Sequence, residues 1–197
     1  MKFIVSELKK SLRRRALAQR EQLDAAYRLT ANAQMQALLV NVLQSRMPCT
    51  VALYYPIRGE PDLLSLMQHT ALTSAVWALP VCCNTATGPL LRFARASAGS
   101  KLIVGQYGIS IPAEQVWVDP DVVVLPCVGF YRSGHRLGYG AGWYDRTLSS
   151  LPPQTLSIGV AFASSESPES FAEPHDRPLD LIVTEHEVIP VRAHNGF

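Results

Sequence analysis

Apolar residues keep helical spacing through the first quarter of the chain. Leu8 and Leu12, then Leu23 and Tyr27, then Met35, Leu38, Leu39 and Val42 fall three or four apart within each group. This pattern predicts one or two helices from Ser6 to about Ser45. Ser6 is the expected N-cap, although Lys9 takes the place of the capping-box acid. The "MPCT" that follows stops the helix, because proline cannot continue it.

Beyond residue 50 the pattern changes to short apolar runs. They are "VALYYP" (51–56), "AVWALPV" (75–81), "DVVVLPCVGF" (121–130), "LSIGVAFA" (156–163) and "LDLIVTE" (179–185). Continuous runs of this length predict strands buried on both faces. Segments 62–71 and 143–151 are helix-compatible. Strands alternating with helices predict an α/β fold with a mostly parallel sheet and helices on both faces. "PLLRFARA" (89–96) alternates and is expected as an edge hairpin strand. "SSESPESFAEPHDRP" (164–178) is the most loop-like stretch, and no internal repeat breaks the chain into units.

The third apolar run leads into "GHRLGYGAGWYDRTL" (134–148), with glycine at 138, 140 and 142. A loop after such a strand lies at its carboxyl end, where α/β sheets bind ligands. Glycine lets backbone N–H groups approach a ligand, and amides at a helix start hold phosphate. The run is not a Walker A loop, since no Gly-Lys-Ser/Thr follows. It is not the dinucleotide fingerprint either, since Trp143 stands where the third glycine belongs. Spacing alone leaves a tight packing turn as an equal alternative. Arg136 before the run and Asp145 after it favour a polyphosphate with a divalent cation, because arginine forks onto phosphate oxygens and aspartate binds Mg²⁺.

Composition adds bounds. The 197 residues, 48% of them apolar, suit a single domain over 1–197, or at most one domain with a helical arm. The net charge of +2 says little about partners, but six cations (Lys9, Lys10, Arg13, Arg14, Arg15, Arg20) cluster near the start. Such a cluster is either a solvated or loosely nucleic-acid-binding face, or one that meets phosphate. A nucleic-acid arm would leave the glycine loop without a use. The four cysteines lack metal-ligand spacing and read as reduced thiols; Cys127 is expected as a buried apolar side chain. The start has no apolar core of signal length, and no run approaches the roughly 20 apolar residues of a membrane span. The expectation is a cytoplasmic protein without membrane or nucleic-acid partners, acting as a monomer.

The chain resembles the 5-formyltetrahydrofolate cyclo-ligases over nearly its full length. The resemblance rests on "KKSLR" (9–13), "YYPIRGEPD" (54–62), "GQYGISIPAE" (105–114), "DVVVLPCVGFYRSGHRLGYGAGWYDRTL" (121–148) and "HDRPLDLIVTE" (175–185). It implies a three-layer α/β/α sandwich with an N-terminal helical segment. It also implies conversion of ATP and 5-formyltetrahydrofolate, with Mg²⁺, to ADP, phosphate and 5,10-methenyltetrahydrofolate through a phosphorylated formyl oxygen. By the same resemblance, Lys9 and Arg13 contact ATP together with Arg136, Leu137, Gly138, Tyr139, Gly140, Ala141, Gly142, Trp143 and Tyr144. Tyr55 and Glu60 contact the folate, as do Tyr139, Gly140, Ala141, Gly142 and Trp143. Asp145 and Asp176 are the implied metal ligands; Arg136 and Tyr144 are the implied catalytic residues, one neutralising phosphate and the other orienting the loop. His175 is expected as an exposed loop residue or a further ligand. The chain departs from the family pattern at Trp143 (commonly Tyr or Phe), Tyr131 (frequently Asp) and Pro61 (usually β-branched).

Overall fold

A computed structural model of the chain describes residues 2–86, 88–173 and 176–191. The helical opening is two helices, α1 (Lys2–Gln22) and α2 (Ala25–Gln44). The break falls at Asp24, whose carboxylate caps α2 by accepting from the Tyr27 backbone N–H at 2.7 Å. Ser6 is therefore not an N-cap: α1 starts at Lys2, because nothing between there and Ser6 is a proline or glycine that would stop it.

Strand β1 covers only Thr50–Ala52, shorter than the 51–56 run. Leu53 still donates to the Ala78 carbonyl, but the chain then leaves the sheet. Pro56 has no N–H to give a ladder, and Arg58 and Gly59 adopt φ of 49° and 70°. Segment 62–71 forms no α-helix. It makes two 3-10 turns, Leu64–Gln68 and Thr70–Leu72. The buried residues Leu63, Leu66 and Leu72 repeat in multiples of three, the 3-10 period. Asp62 and His69 side chains tighten the turns by accepting from Leu64 and Ala71 N–H groups.

The remaining elements are β2 (Val76–Thr85), β3 (Gly88–Ala96), β4 (Leu102–Val104), β5 (Ser110–Pro112), β6 (Trp117–Val118), β7 (Val122–Pro126), β8 (Gly129–Phe130), β9 (Arg136–Leu137), α3 (Trp143–Ser150), β10 (Leu156–Val160), β11 (Leu181–Val183) and β12 (Val188–Pro190). The main sheet runs β12-β11-β10-β7-β1-β2-β3-β6. Its centre, from β11 to β2, is parallel; β3, β6 and β12 are antiparallel additions. β3 does pair with β2 as a hairpin, but it is not the edge, because β6 pairs outside it.

Alternation along β7 shows why the sheet carries helices on both faces. Val122 and Val124 pack with Met35, Leu39 and Leu43 of α2, whereas Val123 and Leu125 join Phe93 and Leu148 of α3. The result is the expected three-layer α/β/α sandwich. α1 docks separately, through Leu12 and Ala16 against Val128, Leu137 and Phe171. The chain builds outward to β2 and β3 on one side of β1, then to β10 and β11 beyond β7 on the other. The carboxyl ends of β1 and β7 therefore flank the point where strand order reverses, the usual crevice in an open α/β sheet.

Candidate active site

A cavity of about 720 Å³ opens at that crevice. Tyr54 and Tyr55, just past β1, and Pro126, the end of β7, form its floor with Pro80 to Cys82 of β2. Above them passes the glycine loop, fed by the small β8–β9 hairpin and emptying into α3. The loop turns through left-handed backbone at Gly140 (φ 98°) and Gly142 (φ 68°), the latter being the N-cap residue of α3. A side chain at either would be strained. Gly138 has no such φ, and a Cβ there would meet nothing within 4 Å. That glycine leaves room beside the cavity.

α1 lies across the loop. Lys9 and Arg13 both reach the cavity, as their spacing on one helix face requires. Lys9 Nζ sits 2.7 Å from Glu173 Oε2 and 2.7 Å from Asp176 Oδ2, with its side chain only 12% exposed. Burial works to lower the Lys9 pKa, but the hydrogen bonds to Asp176 and Glu173 outweigh it, so the pKa is raised and the amine stays charged. Arg13 Nε donates to the Gly138 carbonyl at 2.8 Å. Arg136 donates to Asp145 Oδ1 at 2.5 Å and to the Arg177 carbonyl at 3.4 Å. Lys10, Arg14 and Arg15 point outward and are exposed. The basic cluster is thus divided between two faces.

The other wall is acidic and aromatic. Glu60 is 6% exposed; Oε2 accepts from the Ile57 N–H and Oε1 from the Tyr139 hydroxyl, each at 2.9 Å. Burial raises its pKa, with those hydrogen bonds and the nearby Arg20 and Arg58 opposing the rise. Burial, with Glu60 nearby, also pushes Tyr139 up to about 12 and Tyr144 higher still, so both phenols stay protonated. Gln106, Tyr107, Ile109 and Ile111, from the β4–β5 hairpin, close this side. The Tyr107 ring meets Trp143 edge-on at 6.3 Å, and Trp143 also lies 5.6 Å below the Arg146 guanidinium.

The model of the 5-formyltetrahydrofolate cyclo-ligase family matches residues 5–185. The chain belongs to that family. A 5-formyltetrahydrofolate cyclo-ligase of Mycolicibacterium smegmatis is 34% identical over 68% of this chain and 73% of its own length. The namesake of Mycoplasma pneumoniae is 27% identical over 90% and 98%. Among solved structures, the 5,10-methenyltetrahydrofolate synthetase of Aquifex aeolicus superposes with a TM-score of 0.74 at 31% identity, covering 96% of each chain. That of Mycoplasma pneumoniae gives 0.73 at 26% identity, over 90% of this chain and 98% of that one.

Within this cyclo-ligase, nearly all the residues singled out by resemblance share one cavity. Lys9, Arg13, Tyr55, Glu60, Arg136, Asp176 and every residue from Gly138 to Asp145 line it. Leu137 is placed elsewhere: its side chain is buried among Leu12, Ala16, Val128 and Phe171, where it helps to seat α1. His175 lies outside the described residues. Cys127 is fully buried and its thiol is pushed up to about 11 by burial, which suits an inert apolar side chain. Of the departures, Pro61 is buried and its carbonyl accepts from the Tyr54 hydroxyl at 2.5 Å. Tyr131 packs beside the α1 docking cluster, and Trp143 keeps an aromatic in the wall.

Asp145 and Asp176 both face the cavity, and Glu173 shares Lys9 with Asp176. Among the described residues no three or more His, Cys, Asp and Glu side chains gather as a metal site. Two protein carboxylates completed by phosphate oxygens fit a magnesium ion, which rarely takes an all-protein cage. Sequence reasoning missed Glu173, the β4–β5 hairpin and the buried Arg20. Glu173 sits in the loop-like stretch 164–178, three residues from Asp176, the ligand implied by resemblance. Arg20 stands on the helix stripe of Arg13, two turns further on. The hairpin carries no burial pattern of its own along β4, whose Leu102, Ile103 and Val104 are exposed, although Ile111 of β5 packs inward. No helix among the described residues is long and apolar enough to cross a membrane.

Proposed function

We propose that this cyclo-ligase uses ATP to close 5-formyltetrahydrofolate to 5,10-methenyltetrahydrofolate, releasing ADP and phosphate. One observation carries the reading: a single cavity joins cation–carboxylate pairs at the glycine loop to an aromatic wall holding a buried acid. Polyphosphate oxygens would replace carboxylates at Lys9 and Arg136, and Arg13 would turn from the Gly138 carbonyl to the same chain. Loop amides around Gly140 and Gly142 support the oxygens as charge redistributes. Asp145 and Asp176 are the residues that would hold magnesium, whose chemistry there is to neutralise and orient the transferring phosphoryl group.

A formamide oxygen is a poor leaving group. Transfer of the γ-phosphoryl to that oxygen makes it a good one, and ADP departs. The N10 amine then attacks the former formyl carbon, the five-membered ring closes, and phosphate leaves with the oxygen while the N10 proton is released to phosphate or solvent. Positioning does most of this work, so the protein needs no covalent intermediate. Tyr55, Trp143 and Tyr107 flank the space for the pterin ring, and the Glu60 carboxylate can accept its N–H donors. Tyr144, protonated and half-buried beneath the loop, orients it.

The test is the absorbance rise of methenyltetrahydrofolate when purified protein meets 5-formyltetrahydrofolate with Mg-ATP. Turnover should require both nucleotide and divalent ion. Folate binding without any ATP-dependent product would contradict the reading.

A further inference from the structure

Arg20 is 3% exposed, yet it carries a full charge and lines no part of the cavity. It closes the last turn of α1, where a cation is favoured by the helix dipole. One arm of its guanidinium donates to the Cys127 carbonyl at 2.6 Å, just past the end of β7. The other reaches the Tyr139 hydroxyl at 3.3 Å. That hydroxyl in turn donates to Glu60 at 2.9 Å. A guanidinium has donors only and cannot accept the phenol proton. With Arg20 on the oxygen of Tyr139, the proton is directed to Glu60.

We propose that Arg20 is a positioning residue for Glu60. Anchored by α1 and the end of β7, it fixes Tyr139 as a donor and holds the Glu60 carboxylate ionised and aimed into the cavity. The consequence is a link between the two halves of the site, because the helix that brings Lys9 and Arg13 also sets the acid facing the folate. The proposal rests on the cyclo-ligase reading for what Glu60 binds: a ring bearing adjacent N–H donors, as in a 2-amino-4-oxo pterin. A carboxylate has about four lone-pair sites, and Ile57 and Tyr139 occupy two, leaving two for such a bidentate ligand.

The surroundings of Glu60 make Arg20 matter. The cations facing it are Arg20 from α1 and Arg58 from its own segment. Arg58 is exposed, its guanidinium 5.5 Å over the Tyr139 ring, so solvent weakens its field. Arg28 of α2 is turned to the Gly59 carbonyl at 2.9 Å. The hydroxyls of Tyr54, Tyr139 and Tyr144 and the thiol of Cys127 are the other titratable neighbours, and all four stay neutral. Arg20 is thus the buried charge that opposes desolvation of the acid.

The test pairs a substrate-independent readout with a kinetic one. In protein ¹³C-labelled at glutamate carboxyls, the Glu60 signal, assigned by its loss in Glu60→Gln, is titrated in wild type, Arg20→Met, Arg20→Lys and Tyr139→Phe. The midpoint should move up by about half a unit or more in Arg20→Met and in Tyr139→Phe, with partial return in Arg20→Lys. The acid limb of kcat/KM for 5-formyltetrahydrofolate should move the same way, while KM for ATP changes less than twofold. An unmoved Glu60 midpoint, or equal rises in both KM values with an unchanged pH profile, would mean that Arg20 merely docks α1. Should Arg20→Met fail to fold, Tyr139→Phe cuts the same link and keeps the Arg20 contact to Cys127. Absent turnover in the wild type would overturn the cyclo-ligase reading alone, since the carboxyl titration needs no substrate.

Discussion

Glu60, the acid proposed to meet the folate, is held at a cost to the fold. Its pKa in the folded chain lies above the unfolded value near 4.5, because burial penalises the charged form. Between those two values the folded state holds a proton that the unfolded state has lost. Stability is therefore fully present below the unfolded pKa and declines as pH rises through the folded one. Glu60→Gln removes the penalty and keeps an amide able to pair with Ile57 and Tyr139. The difference in Tm between Glu60→Gln and wild type should grow from pH 4.5 to pH 7.5, in favour of the variant, while KM for the folate rises. A flat or falling difference in thermal melts would contradict it. Asp145 is the opposite case. Its side chain is 58% exposed although that of Arg136 is only 5% exposed, and solvent at the carboxylate keeps the pair to about 1 kcal/mol. Arg136 also retains the Arg177 carbonyl when Asp145 is lost. Asp145→Ala should keep a near-native Tm and lose turnover on the order of a hundredfold or more, the scale of a lost metal ligand. Near-normal turnover in the absorbance assay would remove the metal role. The exposed acid beside the glycines was readable in the sequence; Arg20 was not, because burial of a charge leaves no mark in composition.

At the scale of elements, legibility followed periodicity. α1 and α2 kept a 3.6-residue repeat and the central strands kept continuous apolar runs, so both were readable. Segment 62–71 has buried positions three apart, which a helical reading accepts although the backbone takes 3-10 turns. The β4–β5 hairpin exposes Ile103 and Val104, so no burial pattern announced it. What the sequence did reveal about α1 was a pair of cations on one face. Their partners are consistent with the proposed phosphate role: Lys9 meets two carboxylates and Arg13 a loop carbonyl, groups that phosphate oxygens could replace. Lys9→Ala with Arg13→Ala should raise apparent KM for ATP roughly tenfold or more, the loss expected for charge-assisted hydrogen bonds. KM for the folate should rise less. Steady-state titrations of each substrate at saturating levels of the other check this, and an unchanged ATP dependence would defeat it.

At the scale of the molecule, the site is a product of topology. Reversal of strand order at β1 and β7 leaves a crevice, and the loops after those strands fill it with Tyr55, Glu60 and the glycine run. Two large clusters hold the sheet between α2 and α3, whereas α1 is attached by a third, small one comprising Leu12, Ala16, Val128, Leu137 and Phe171. An element with few buried apolar contacts opens locally before the core does. On the proposed reading α1 also carries the cations for the polyphosphate, which makes nucleotide binding and α1 docking one linked equilibrium, since a ligand that binds only the docked form stabilises it by mass action. Amide exchange in α1 should therefore be faster than in β7 without nucleotide and should slow on adding Mg-ATP, by up to about a hundredfold at a hundred times Kd. α2 and β10, whose contacts do not involve the nucleotide, should change little. Hydrogen–deuterium exchange read by mass spectrometry separates these peptides. Equal protection of α1 and β7 before nucleotide, or uniform slowing across all elements after it, would show that α1 is part of the rigid scaffold and not the closing arm of the site.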